Sequence, residues 1–209
     1  YTLVRRNLLK VMKNFRPDMV LVTHSNVIRD AGLLLELRAL YPALRIGQFS
    51  VDALFSKSNC DGLLGRQPGC DATFVNTNGA TLKKIAGTGT PFYFVPNLTD
   101  TGIDEGRAFA QDTLPFDVSC FMAGGDNLPE DQAQRIGWAR AVKGALPELN
   151  CCYRGFDGAP MIFGYEYIEK TAAAAMGLNF NRYQLNGQQS TLESRYMYSS
   201  SRVGHIMGN

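Results

Sequence analysis

The sequence predicts an α/β fold made of two parallel-sheet units, and three observations carry that reading. Short, unalternated apolar runs rich in Val, Ile, Phe and Leu recur along the chain, helical patterns stand between them, and residues 97–115 interrupt the rhythm, with four runs before and three after. Unalternated runs fit strands buried on both faces of a sheet, and parallel strands require helical crossovers between them. The expected strands are 18–23, 44–50, 72–76 and 91–95 in the first unit, and 116–122, 150–153 and 176–180 in the second. Val27, Ala31, Leu34, Leu35, Leu37 and Leu40 form one face of a crossover helix that Pro42 closes. Ile136, Ala139, Val142 and Leu146 form another, closed by Pro147. Shorter helices are expected over 61–64, 80–86 and 165–175. The interrupting stretch holds Asp100, Thr101, Gly102, Asp104, Glu105, Gly106 and Pro115, and reads as a linker. The expected domains are thus 1–110 and 111–209, each Rossmann-like and incomplete.

Composition narrows the function classes. In 209 residues, 45% are apolar and 19% charged, which describes a packed core and not a solvated tail. A net charge of +2, with 21 Lys and Arg spread along the chain against 19 acids, argues against a nucleic-acid partner. The five cysteines, Cys60, Cys70, Cys120, Cys151 and Cys152, show no C-x-x-C pair and no His at metal-ligand spacing, so they read as small apolar fillers in a reducing cytoplasm. No apolar run approaches the roughly 20 residues that span a bilayer, and no signal segment is seen. The expected location is cytoplasmic, with peripheral attachment at the inner membrane surface left open.

Open parallel sheets bind ligands outside the carboxyl ends of their strands. The residues just after the expected strands are accordingly the candidates: His24, Ser25 and Asn26; Asp52; Asn76 to Gly79; Asn97; Gly124, Gly125, Asp126 and Asn127; Arg154 and Gly155; Asn181 and Arg182. Two sets of such loops would face one another across a cleft. Absences prune the chemistry. There is no G-x-x-x-x-G-K-[ST] phosphate loop and no G-x-G-x-x-G dinucleotide turn after a strand, and no D-x-D pair that would hold a divalent ion against a diphosphate. Gly124 and Gly125 follow a strand and precede a helix, where they serve either close approach of a ligand or a plain turn.

The tail is the most informative stretch. It runs M-G-L-N-F-N-R from Met176 to Arg182, and Y-S-S-S-R-V-G-H-I-M-G-N from Tyr198 to Asn209. Ser199, Ser200 and Ser201 open a short helix whose apolar side is Val203, Ile206 and Met207. Free backbone N–H groups and the positive end of the helix dipole suit a diphosphate there, with Arg202 and Arg182 as guanidinium partners. Tyr165, Tyr167 and Tyr198 could stack on a base or sugar, or pack in the core. His205 is expected to face solvent or to bond its helical neighbours.

These segments, with F-D-V-S-C-F-M-A-G-G-D at Phe116 to Asp126, resemble the C-terminal half of GT-B glycosyltransferases of the group-1-like branch that includes the spore-maturation CgeB-type proteins. Members carry a strand ending L-N-x-x-R and then a Y-S-S-x-R-x-x-x-x-M-x-N-G segment. The resemblance is specific over 116–209 and generic over 1–115. It implies two α/β domains around a cleft, a nucleotide-sugar donor bound mainly by the C-terminal domain, the acceptor on the N-terminal domain, and neither a metal nor another cofactor. Carried over by position, the donor-binding residues are Gly124, Gly125, Asn179, Arg182, Tyr198, Ser199, Ser200 and Arg202. The E-x7-E pattern of related enzymes is missing, since Glu193 has no acidic residue eight positions later.

Sugar transfer needs a stabilised leaving group and an acceptor hydroxyl that loses its proton. The diphosphate falls to the serine-rich helix start with Arg182 and Arg202. The catalytic base, where the reaction uses one, is His24 or Asp52. Expected partners are the donor and a glycan, lipid-linked or protein acceptor, with no transmembrane segment. The competing reading is a two-lobed sugar or small-metabolite binding module without chemistry. Four and three strands are fewer than such halves usually hold, and the chain starts at Tyr1. It therefore reads as the middle of a longer transferase, truncated at both ends, or as a shortened form.

Overall fold

The computed structural model describes residues 2–23, 28–54, 56–87, 89–97, 99–124, 130–181, 184–185, 188–189 and 201–209. The chain divides into two compact units, one of Tyr1–Pro96 with Gln184–Ser199 and one of Asn97–Tyr183 with Ser200–Asn209. Each contains a parallel sheet, so the architecture is α/β and Rossmann-like in kind.

The first unit runs α1 (Thr2–Phe15), β1 (Met19–Val22), α2 (Gly32–Leu40), β2 (Arg45–Ser50), α3 (Lys57–Arg66), β3 (Ala72–Val75), α4 (Gly79–Ala86) and β4 (Phe92–Phe94). Its strands pair in sequence order, β1-β2-β3-β4, with Met19 opposite Arg45, Gly47 opposite Ala72 and Thr73 opposite Phe92. Helix α2 begins where the Asp30 carboxylate accepts from the Gly32 amide at 2.8 Å, and ends just before Pro42, which cannot continue it. Helix α4 begins where the Asn78 side chain accepts from the Gly79 amide. One apolar cluster joins Met12, Val22, Leu34, Leu37, Leu44, Ile46 and Cys70; another joins Leu54, Leu63, Val75 and Ile85. Helix α1 was not among the expected elements. Its inward stripe is Leu8, Leu9 and Met12, at helical spacing, and its Arg5 guanidinium pairs with Glu36 of α2.

Among its described residues, the second unit runs β5 (Phe116–Phe121), α5 (Glu130–Ala145), β6 (Cys151–Arg154), α6 (Gly164–Ala172), β7 (Ala174–Gly177) and, after the two-residue strands β8 (Gln184–Leu185) and β9 (Gln188–Gln189) of the first, α7 (Ser201–Gly208). Its sheet order is β6-β5-β7, all parallel, with Val118 opposite both Cys151 and Met176. Strand β7 lies earlier than the expected 176–180. The alanine run favours helix by propensity, but the ladder from Phe116 to Ala174 ends α6 at Ala172 and draws Ala174 and Ala175 into the sheet. Leu178 and Phe180, whose apolarity suggested strand, instead pack on the core cluster of Val118, Cys120, Met122, Ile136, Ala139, Tyr153 and Phe156.

The segment 97–115 packs with the second unit. Asp104 has a side chain with no solvent exposure. It accepts from the Asp100 amide at 3.0 Å and from Asn209 at 3.0 Å, and Thr99 donates to the Gly204 carbonyl at 3.1 Å. Gly208 makes the approach possible, because a Cβ there would collide with Thr99 and lie 2.7 Å from the Asp104 Cβ. On α7, Val203 and Ile206 are half-buried, whereas Met207 is 77% exposed and does not belong to the packed side.

All five cysteines are free thiols, and burial pushes Cys70 and Cys120 up to about 11, so both stay protonated fillers. Among the described residues no helix is long and apolar enough to cross a membrane.

Candidate functional site

In the second unit the chain leaves β5 toward β6 on one side and returns to place β7 on the other. Where successive connections place strands on opposite sides of a central one, a crevice opens at the carboxyl ends, here between β5 and β7. A cavity of about 420 Å³ lies at that end, lined by Met122 and Ala123 after β5, Gln132 and Arg135 of α5, Tyr167 of α6, and Arg202 and His205 of α7. Phe121, Met161, Ile162 and Phe163 supply its apolar wall. A second cavity of about 310 Å³ is lined by Pro115 and Ala173, which precede β5 and β7, so it lies at the amino ends, away from the crevice.

The polar groups are held by side chains and by strand-end carbonyls. Arg202 donates through Nε to Asn179 Oδ1 at 2.9 Å and through a terminal nitrogen to the Phe180 carbonyl at 3.4 Å. Arg135 is 3% exposed and donates to Gln132 Oε1 at 2.7 Å, while the Gln132 amide nitrogen donates to the Ala123 carbonyl. Two guanidinium groups therefore line one cavity, each oriented by a side-chain amide oxygen, Gln132 for Arg135 and Asn179 for Arg202. His205 is held through Nδ1 at 2.7 Å from the Asp104 carboxylate, and its ring meets Tyr167 edge-on at 5.6 Å. Burial works to raise the Asp104 carboxyl, but the hydrogen bonds from His205, the Asp100 amide and Asn209 outweigh it and hold the group below its ordinary range. Burial raises the Tyr167 phenol, which stays neutral.

Of the residues singled out from sequence, Arg202 and Asn179 are brought together by a direct hydrogen bond. Gly124 follows Ala123 at the cavity, and its lack of a side chain answers to packing. A Cβ there would collide with the Gly155 carbonyl and lie 2.9 Å from Phe156. Of the tyrosines, Tyr167 lines the cavity while Tyr165 is 82% exposed. Asp52 lies in the first unit after β2, its amide 3.4 Å from Ser50 Oγ. His24, Gly125, Arg182, Tyr198, Ser199 and Ser200 lie outside the described residues.

Four participants were not anticipated. Gln132 and Arg135 stand in phase with Ile136 and Ala139 on the buried face of α5. Polar residues in register with an apolar stripe were the available signal, since burying them is costly without a partner. His205 and Asp104 are 101 residues apart, and no local pattern links them. Among the described residues no cluster of three His, Cys, Asp or Glu side chains could hold a metal ion. Comparison of the chain with protein-family models, with curated proteins and with solved structures returned no match.

Proposed function

We propose that the chain is a glycosyltransferase that moves a sugar from a nucleoside-diphosphate sugar to an acceptor hydroxyl, and that the cavity beside β5 and β7 seats the donor diphosphate. The observation that carries the reading is the pair Arg135 and Arg202 lining a single cavity with Tyr167. A departing diphosphate gains negative charge as the glycosidic bond breaks, and fixed guanidinium groups in a partly dry site stabilise that charge without reorganising. The cations thereby take the part a divalent ion plays in metal-dependent transfer. Tyr167 and the rim residue Phe163, 74% exposed, offer aromatic faces to a base or sugar. The sequence resemblance adds Gly125, Arg182, Tyr198, Ser199 and Ser200 to the donor side and leaves His24 or Asp52 as the base.

The test is thermal unfolding with UDP, GDP, TDP and CMP, each with and without magnesium. A nucleoside diphosphate at about a hundred times its Kd should stabilise the protein by about 2.7 kcal/mol, raising Tm by several degrees regardless of magnesium. A rise with free sugars and with none of the nucleotides would replace the transferase by a sugar-binding module.

A further inference from the structure

Residues 2–17 hold five cations, Arg5, Arg6, Lys10, Lys13 and Arg16, and no acid. Helix stability does not account for the run. Lys13 in the last turn of α1 complements the helix dipole, but Arg5, Arg6 and Lys10 stand too early to do so. Arg5 is paired with Glu36 of α2, whereas among the described residues no ion pair or side-chain hydrogen bond holds Arg6, Lys10, Lys13 or Arg16. The helix is also apolar beyond its packed side. Leu8, Leu9 and Met12 face the core, while Val4, Val11 and Phe15, spaced seven and four apart, form a second stripe that faces solvent, with Phe15 76% exposed. Arg16 ends the helix with a left-handed backbone (φ 50°), and Pro17 follows. Beside that end lies a cavity of about 420 Å³, bounded by Lys13, Arg16 and Asp18 before β1 and by Leu40, Tyr41 and Pro42 before β2. Leu40, at the end of α2, is 55% exposed.

We propose that this surface docks on an anionic phospholipid bilayer: Lys13 and Arg16 meet headgroup phosphates at the cavity, Arg6 and Lys10 add attraction along the helix, and Phe15 and Leu40 enter the boundary between headgroups and acyl chains. Charge complementarity selects this occupant. Exposed apolar side chains stand beside cations with no internal partner, and an anionic bilayer satisfies both at once. A nucleic acid would answer the cations and leave the apolar stripe in water, whereas an apolar protein groove would bury the stripe and strip the cations of solvent. Long Lys and Arg stems lie along apolar surface while their heads reach phosphate. Asp18 also lines the cavity, one carboxylate against the two cations Lys13 and Arg16. A few cations and a short apolar stripe give reversible attachment in the plane of the surface and not insertion. The surface belongs to the first unit alone, and it does not rest on the donor seat of the second.

Flotation of the whole chain with vesicles of phosphatidylcholine, alone or with about a third phosphatidylglycerol, tests the surface. Binding is expected only with the anionic vesicles and should weaken as salt is raised. Lys13→Gln combined with Arg16→Gln should lower the partition coefficient about twentyfold, each cation being worth about fivefold near a charged membrane. Phe15→Ser should lower it about tenfold. All three side chains are exposed, so both variants should keep the wild-type Tm, and the two together keep the test decisive if one of them loses stability. No flotation with anionic vesicles, or equal flotation with neutral ones, would overturn the proposal. So would binding that both variants retain, which would put the bilayer contact elsewhere. A loss confined to K13Q/R16Q, with F15S binding like wild type and the same ranking on duplex DNA, would make α1 a general polyanion site instead. A dimer in light scattering that F15S dissolves, without vesicle binding, would make the stripe an interface between two copies. UDP binding is read separately, so failure of the bilayer contact leaves the donor reading in place.

Discussion

The two units put polar residues at the carboxyl ends of their strands to different uses. In the first, the buried polar side chains there bond to the unit's own backbone. Asn76, with no exposed surface, donates to the Val51 carbonyl at 2.7 Å, and Thr77 Oγ1 accepts from the Leu54 amide at 3.2 Å. Deeper in, Gln48 donates to Thr73 and to the Leu63 carbonyl and accepts from Arg66, which also donates to the Ile28 carbonyl. In the second, Arg135 and Arg202 are held by amides and still line open volume. Topology accounts for part of the contrast. Strands paired in sequence order send every connection the same way and leave no crevice, whereas the order β6-β5-β7 opens one. Burial of an arginine is thus not by itself a sign of a site. What distinguishes the two cases is whether the guanidinium, besides its internal acceptors, also lines a cavity.

The strongest way to break this contrast is to remove an internal acceptor from the first unit. Gln48→Ala deprives buried Arg66 of its side-chain partner, where burial already lowers the guanidinium's affinity for its proton. Unfolding of the first unit in urea should show a loss of about 3 kcal/mol, with UDP affinity unchanged in whatever fraction stays folded. A loss of UDP affinity in folded protein would mean that this network also serves a ligand, and the two units would no longer differ in kind.

A second variant sharpens the contrast from the other side. Arg202→Ala removes a charged donor from the cavity while leaving its acceptor Asn179 half-buried just after β7. Titration calorimetry should show UDP affinity falling by about 2 kcal/mol, some thirtyfold, with a much smaller change in stability than Q48A produces. Unaltered affinity would take Arg202 out of the site, and a fall in stability to match Q48A would give it the same internal role as Arg66.

Much of this fold was legible because its strands are buried on both faces. Continuous apolar runs fixed β1 to β6 to within a residue or two, and Pro42 and Pro147 marked the helix ends. Reading failed where tertiary pairing overrode local preference. Ala174 and Ala175 look helical and are strand, and Leu178 and Phe180 look like strand and are core contacts. Helix α1 was overlooked because only Leu8, Leu9 and Met12 mark its inward face among many exposed apolar and basic residues. At the site, Arg202 and Asn179 were legible through a local motif. Arg135 was hidden because a charged residue on a helix is ordinarily solvated, and Asp104 because it stands in a stretch whose glycines and acids read as a linker.

Asp104 provides the smallest and most specific effect, and it bears on the second unit alone. Its carboxyl is held below its ordinary value of 3.8 in the folded chain, burial being outweighed by the donors from His205, Asp100 and Asn209. A carboxyl depressed on folding gives stability that is fully present above the unfolded value and is lost as pH falls through the folded one. The second unit should therefore lose stability as the pH drops below about 4, because the unfolded chain there binds a proton that the folded chain still resists. Asp104→Asn cannot take up that proton. The stability gap between wild type and D104N should be constant near neutrality and should narrow as the solution is acidified. Since Gly204, His205 and Asn209 of the last helix are tied to this segment, helix-specific signals should report the loss before those of the sheet. If the gap stays constant down to pH 3, the Asp104 carboxylate contributes no charge-dependent stability, and its bond to His205 is one of orientation only.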